Sequence, residues 1–433
     1  IAKLVRPTGT LLVVARGRDP ADSPGEFPWP LTRGELAVFT HNGLEEVAFE
    51  DFLDGETPRV RRFRVEYRHP VLKELEPHEV VLRGERVTLR PLTENDWPFV
   101  IALWNDPQAS AWSDAREAVN DPPETIQAIY RKLSREAFLF VIEREGEPIG
   151  DVYFQRMNLP RLLNRYPGKD MRRMPITLRG EDVWGKGLGT EAVRLLTRFG
   201  FERERADLLF ACSISYRNPR SLLAFAKCGF ELQDGGDWVQ ESRDGDELDL
   251  ICRRETWEAF HAGDRPLVIR KAVPADHAEA FGVQMDAARW IESRGIAQWK
   301  EYLTQPEKFA AFTADWIAAG EMWVAELEGT VAGVFCLAAA RDWAHAGGPD
   351  ASAAERYVGK LAMRREFAGR GLGLRMLRRA EVIAVAQGAT SLRLDCVADN
   401  PALVAYYERA GYAPNGVIEA NGWRLARFER RAG

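Results

Sequence analysis

One glycine-rich hexapeptide occurs twice in this chain, as Trp184-Gly185-Lys186-Gly187-Leu188-Gly189 and as Ala368-Gly369-Arg370-Gly371-Leu372-Gly373. Each opens a stretch with helical apolar spacing, and each is followed by Asn-Pro and then a Gly-aromatic pair. Helix propensity disfavours two glycines at the head of a helix, so the repetition asks for a reason beyond a turn. Alternating glycines let successive N–H groups face one concavity, and the positive end of the helix dipole adds to it; a pyrophosphate can bind there without a lysine. The flanking landmarks repeat too. Arg90 and Asp96 match Arg270 and Asp276 at an offset of 180, and Gly146 and Gly150 match Gly329 and Gly333 at 183. Gly187 and Gly189 match Gly371 and Gly373 at 184, and Asn218 and Gly229 match Asn400 and Gly411 at 182. One order at nearly one offset means a tandem duplication of a domain of roughly 170 residues.

Each copy reads the same way. A strand (Val87–Arg90; Leu267–Arg270) leads to helix, then to two strands around an acidic-Gly turn: Phe138–Glu143 and Ile149–Phe154, or Trp323–Leu327 and Ala332–Leu337. Another apolar strand precedes the glycine loop. The helix after it has apolar positions Leu188, Ala192, Leu195, Leu196 and Phe199, or Leu372, Met376, Leu377, Ala380 and Ile383. A strand ending at Asn-Pro follows, in which Leu392, Leu394 and Cys396 alternate with polar residues. A short helix and a hairpin close each copy, turned at Asp244-Gly245 and Asn421-Gly422. The expected class is α+β with a mixed central sheet and flanking helices, in domains spanning 82–254 and 266–433. The stretches Pro70 to Val81 and Glu255 to Pro266 read as linkers.

Composition excludes several roles. At 433 residues the chain exceeds what one core supports. A net charge of −6 with interspersed signs shows no basic face for nucleic acid. The longest apolar run, Val331 to Ala340, is too short to span a bilayer. The five cysteines are scattered, never as C-x-x-C, and read as reduced core residues of a cytoplasmic protein. The six histidines lack metal spacing, so no metal is expected.

A P-loop is rejected, because Lys186 is followed by Gly187 rather than Ser or Thr and the second loop has no lysine. A dinucleotide fold is rejected too, since each loop lies deep inside its copy and the next strand ends in Asn-Pro. The order of strand, glycine loop, helix, strand, Asn, helix and Gly-aromatic resembles the GNAT acetyltransferase superfamily over both copies. Trp184 and Ala368 depart from its usual first motif residue, Gln or Arg. The first copy is similar to the branch holding ribosomal-protein and aminoglycoside acetyltransferases; the second, with Tyr406-Tyr407-Glu-Arg-Ala-Gly-Tyr412, is similar to general small-molecule members.

The resemblance implies transfer of an acetyl group from acetyl-CoA to a primary amine of a small molecule or a peptide N-terminus. It places acetyl-CoA against Gly185, Lys186, Gly187, Leu188, Gly189, Thr190 and Asn218 in the first copy. In the second it uses Leu361, Met363, Gly369, Arg370, Gly371, Leu372, Gly373 and Asn400. The strands Ile176–Leu178 and Val358–Met363 would lend backbone groups to the pantetheine arm. Tyr407 occupies the position of the general acid, whereas the first copy has Phe225, which has no proton to give. Glu181 and Asp182 in the first copy, and Glu366 in the second, are candidate bases or simply solvated acids. Other residues keep two readings: Asn218 and Asn400 as ligands or as helix caps before proline, and Trp290 with Trp299 as a cleft wall or as core.

Residues 1–70 belong to neither copy. Gly9 to Ala15 reads as a buried strand, Thr32-x-x-Glu35 as a capping box, and Val60, Phe63, Val65 and Tyr67 as a strand. This segment resembles the C-terminal end of a Rossmann-like class I S-adenosylmethionine (SAM)-dependent methyltransferase, without the glycine loop that would bind SAM. The chain starts at Ile1, and two readings stay open: a methyltransferase portion upstream of it, or a remnant packed against the next domain. A bifunctional methyltransferase-acetyltransferase, and a protein in which one copy only binds CoA or scaffolds the other, are the rival readings.

Overall fold

The computed structural model describes residues 5, 9–22, 29–41, 44–55, 59–70, 72–109, 120–233, 247–262, 266–296, 298–339, 355–420 and 422–431. Two compact units divide the chain. The first comprises Ile1–Val80, Pro91–Asn105 and Val119–Leu139; the second comprises Val81–Arg90, Asp106–Ala118 and Phe140–Gly433.

In the first unit, β1 (Thr10–Arg16), β2 (Glu45–Leu53) and β3 (Arg61–Arg68) form an antiparallel sheet in the order β1-β3-β2. Alternation along β3 buries Phe63, Val65 and Tyr67, while Arg61, Arg62 and Arg64 pair with Asp51, Asp54 and Glu50. The capping box forms as expected, with Glu35 N–H donating to Thr32 Oγ1 at 3.2 Å and Thr32 N–H to Glu35 Oε2 at 2.6 Å. The expected burial of the first strand is corrected: Leu12 and Val14 are 50% and 56% exposed, because only one face of β1 meets the small core around Leu36, Phe63 and Tyr67. Residues 75–78 are held rather than loose. Glu94 accepts from Leu75 N–H at 2.9 Å, Ser134 Oγ from Glu76 N–H at 2.9 Å, and His78 Nε2 lies 2.9 Å from Leu139 O.

The second unit carries two mixed sheets. One contains β4 (Leu82–Arg83), β5 (Thr88–Pro91), β6 (Ala137–Arg144), β7 (Glu147–Arg156), β8 (Met171–Arg173), β9 (Ile176–Leu178), β10 (Leu208–Ser215), β11 (Glu231–Leu232) and β12 (Glu247–Arg253). Its order is β11-β12-β10-β8-β7-β6-β5-β4, with β9 on β7. The other runs β13-β14-β15-β16-β17-β19-β18, built from β13 (Val268–Lys271), β14 (Met322–Leu327), β15 (Thr330–Ala339), β16 (Glu355–Met363), β17 (Ser391–Val397), β18 (Ala413–Ala420) and β19 (Trp423–Arg431). In both, the acidic-Gly turn has positive φ at two residues, Glu145 and Gly146 or Glu328 and Gly329, the tight geometry that matches strand twist. The Asp244-Gly245 turn and Asn421 lie outside the described residues; Gly422, at φ +78°, joins β18 to β19.

Each sheet contains a parallel pair bridged by a glycine-loop helix, β8 to β10 through Leu188–Arg198 and β16 to β17 through Leu372–Ala386. The second helix is not amphipathic in its surroundings. All of it except Leu374 and Ala386 is buried, Arg375, Arg378, Arg379 and Glu381 included, because Pro219–Lys227 and β11 of the first copy cover the face its own sheet leaves open. Arg375 reaches Glu231 at 2.5 Å and the Gly229 carbonyl at 3.0 Å. The expected linker after Glu255 is also corrected: Arg254–Phe260 is a helix, since Trp257 and Phe260, one turn apart, are both buried. Among the described residues no helix is long and apolar enough to cross a membrane. All five cysteines are free thiols.

Glu231 also pairs with Arg253, and removing it takes the carboxylate from the buried Arg375. Glu231→Ala is expected to cost about 3–5 kcal/mol in denaturant unfolding, the penalty of an uncompensated buried charge; a loss under 1 kcal/mol would show that the pair carries no weight.

Candidate active site

Two left-handed residues set each glycine loop. Gly185 and Gly187 have φ of +75° and +78°, and Gly369 and Gly371 have +78° and +81°. Gly187 and Gly371 are the N-caps of their helices, and neither helix receives a side-chain cap. The first-turn N–H groups therefore lack both intrahelical and side-chain acceptors and face the loop. Gly185 and Gly369 face open space, whereas Gly189 and Gly373 are packed too tightly for any side chain: a Cβ would come within 2.9 Å of Leu178 Cδ1 in one copy and 2.6 Å of Met363 Cε in the other. Uncapped N–H groups and room for close approach suit the pyrophosphate of acetyl-CoA.

In the first copy these parts line a cleft of about 290 Å³. Ile176–Leu178, Gly185, Gly187, Leu188, Gly189, Thr190, Asn218, Ser221 and Phe225 all face it, whereas Glu181 does not and is exposed. Trp184 anchors the loop by donating its indole N–H to Leu178 O at 3.1 Å, and Arg220 lies 4.1 Å over its ring. Arg86, which sequence reasoning missed, staples the loop from behind through the Lys186 carbonyl at 2.8 Å. Glu191 in the first helical turn holds Arg86 at 2.9 Å. Burial opposes ionisation of Glu191, but the Arg86 amide and guanidinium outweigh it and keep the carboxyl below its ordinary range. An acid so early in a helix was the available signal.

Asn218 and Asn400 cap their helices, accepting from Ser221 N–H and Leu403 N–H at 3.2 Å each.

The second copy gathers its chemistry where β16 leaves β17. Their parallel pairing runs only from Glu355↔Ser391 to Tyr357↔Arg393; Lys360 then takes φ +54° and bulges the strand against β15. Tyr357 donates its hydroxyl to Asp395 on β17. Burial raises the Asp395 carboxyl above its ordinary range, although the Tyr357 hydrogen bond and Lys360 pull it back. Tyr407 is buried against Tyr406, Tyr412 and Phe428; burial, then Cys396, Tyr406 and Asp395, raises its phenol, so it keeps its proton. Tyr406 stands over the loop, its hydroxyl 2.9 Å from where a Gly373 Cβ would be.

Lys360 Nζ sits 5.9 Å, 5.9 Å and 5.6 Å from the ring centres of Trp299, Tyr302 and Trp316, and burial lowers its pKa. The buried Tyr302 hydroxyl has no hydrogen-bond partner among the described residues. Trp290 is no part of this wall; Arg365 lies 3.8 Å over its ring. Glu366 is exposed in the short turn before the loop, beside Arg370, which pairs with Glu328 at 2.6 Å. The first copy has different groups at these places. Arg173 ends its parallel register where Tyr357 does, Pro175 breaks its strand, and Phe225 stands for Tyr407. Its nearby acid, Asp249, is bound to Arg161 at 2.9 Å and to Ser213 N–H at 2.9 Å.

Residues 86–231 match the family model described as acetyltransferase (GNAT) domain, and residues 287–412 the one described as acetyltransferase (GNAT) family. The uncharacterized N-acetyltransferase YesJ of Bacillus subtilis (strain 168) is 35% identical over 161 residues, covering 37% of this chain and 87% of that protein. A probable glucosamine 6-phosphate N-acetyltransferase 2 of Oryza sativa subsp. japonica is 34% identical over 117 residues, covering 25% of this chain and 66% of that protein. Among solved structures, AAC(6')-Ib in complex with ribostamycin and coenzyme A is 23% identical with a TM-score of 0.34, covering 42% of this chain and all of that one. The chain belongs to the GNAT acetyltransferase family, as two tandem domains of an N-acetyltransferase that uses acetyl-CoA as its cosubstrate.

Proposed function

We propose that the two domains, spanning 82–254 and 266–433, are unequal: both bind acetyl-CoA at their glycine loops, and the second carries out most of the transfer. The supporting observation is the convergence of Tyr357, Asp395 and Tyr407 where β16 leaves β17, against Arg173 and Phe225 in the first copy. The cofactor residues are those of the two loops with their flanking strands, from Gly185 to Thr190 and from Leu361 to Gly373. Asn218 and Asn400 act there by starting the helices beside the loops.

Acetyl-CoA supplies an acyl group activated as a thioester. An amine attacks it only as the free base, so a group must take the ammonium proton. Asp395, whose carboxyl burial makes more basic, takes that role in preference to the exposed Glu366. As the C–N bond forms and the C–S bond breaks, Tyr407 gives its proton to the departing sulfur, and the proton shed by the newly acylated nitrogen returns through solvent to the Tyr407 phenolate. The acceptor is a primary amine of a small molecule, admitted along Trp299, Tyr302 and Trp316; a peptide N-terminus is the other acceptor to try. The free thiols suit a reducing cytoplasm.

Residues 1–70 we read as the tail of a methyltransferase-like α/β domain. A short helical segment connects β1 to β2, and β3 lies between them antiparallel to both, which fits paired closing strands. Calorimetry of the chain with SAM should show no binding; a measurable heat of binding would place a SAM site in the residues present.

Titration with acetyl-CoA should give two sites per chain, falling to one in Gly187→Val and one in Gly371→Val, because each replacement forces a β-branched residue to positive φ. A single site in the parent chain would sink the two-site reading. With a panel of polyamines, aminoglycosides, amino sugars, amino acids and peptides, thiol release by Asp395→Asn and by Tyr407→Phe should fall by about 10²–10⁴-fold. The acid limb of the kcat/KM profile should lie above the ordinary aspartate range, since Asp395 must be ionised to act, and should vanish in Asp395→Asn. Unchanged turnover in both variants would move the chemistry to the first copy.

A further inference from the structure

A cavity of about 590 Å³, lined by no residue of either glycine loop, lies between the first copy's helices and the second copy's buried helix Leu372–Ala386. Its lining is basic in a chain whose net charge is negative: seven arginines and lysines against two glutamates. Most of these cations have acids of their own. Arg375 pairs with Glu231, Arg378 with Glu381, Arg270 with Asp276 and Arg198 with Glu202. Arg379 is the buried one that has none among the described residues. It is 7% exposed, and its Nε and Nη1 are buried with no hydrogen-bond partner among the described residues. Arg375 Nε, one turn away, is likewise buried and unpartnered. Arg194 and Lys227 add exposed positive charge at the lining, and neither forms an ion pair among the described residues.

A buried guanidinium with idle donors costs stability unless an acceptor meets it. Burial and the facing Arg375 depress Arg379 to about 10, and burial with Arg375, Arg379 and Arg194 pushes His261 down to about 3. The three arginines therefore act on one spot, where an oxyanion would relieve them all. Guanidinium forks match the oxygens of a phosphate in geometry as well as charge. The volume exceeds what a bare phosphate fills, leaving room for the body of a small phosphorylated compound.

We propose that this cavity is an anion site for a phosphate-type oxyanion, gripped by Arg379 and Arg375 with Arg194 at its edge. The test is calorimetry on the full chain with coenzyme A saturating both glycine loops, so that they cannot take up the probe. Inorganic phosphate and glucose 6-phosphate are the two probes; tighter binding of the ester assigns a phosphorylated metabolite, and tighter binding of the free ion assigns phosphate itself. Arg379→Met should weaken the bound probe at least tenfold while raising the melting temperature of the ligand-free chain, since it removes an unpaired buried charge. Coenzyme A affinity should not change. No binding of either probe at 10 mM (~10²-fold above the range expected for such a site), or binding untouched by Arg379→Met, would overturn the proposal.

Discussion

A strand can be hydrogen-bonded on both sides only while its backbone holds register, and each copy is organised around the place where one strand loses it. In the second copy the ladder between β16 and β17 stops at Tyr357↔Arg393, and Lys360 turns left-handed to keep β16 on β15 alone. In the first, Pro175 has no N–H to offer β10, and β9 continues only beside β7. The notch that results exposes backbone on one side and the C-terminal end of a parallel strand on the other. The glycine loop, the Asn-capped helix and the side chains proposed to react all border this notch. Without the loss of register, the sheet would close and these groups would be ordinary interior.

The second dependence is electrostatic. The helix Leu372–Ala386 carries three arginines and a glutamate into the interior, and their partners come from both copies: Glu231 from the first, and Arg430 at 3.5 Å from Glu381 in the second. Burial lifts Glu381 to about 8 despite Arg378. A carboxyl so raised stabilises the fold only while protonated, so its contribution is full below pH 4.5 and is lost as pH rises toward 8. This helix is both the crossover of one domain and the floor on which the other rests.

Much of this was legible in the sequence. The duplication, the acidic-Gly turns, the helix after each loop and the loop glycines follow from spacing and from residues whose backbone demands are narrow, such as Gly187 and Gly371. What escaped was of two kinds. Asp395 reads as the outward partner of Leu394 and Cys396 in an alternating strand, and only the loss of pairing beside it turns that face into a site. Arg375 and Arg379 read as the solvated side of an amphipathic helix, because periodicity assigns one buried face and cannot announce that a second domain will cover the other. The segment after Glu255 reads as linker because Trp257 and Phe260 are too few to set a period, yet one helical turn is enough to bury them both.

The helix Pro219–Lys227 has two neighbours. It lends Phe225 and Asn218 to its own cleft, and it lies against Leu372–Ala386 of the other copy. A change there is judged twice, once by the ligand and once by the neighbouring domain. After a duplication, the copy whose residues carry such double duty is the one less free to drift toward a new chemistry.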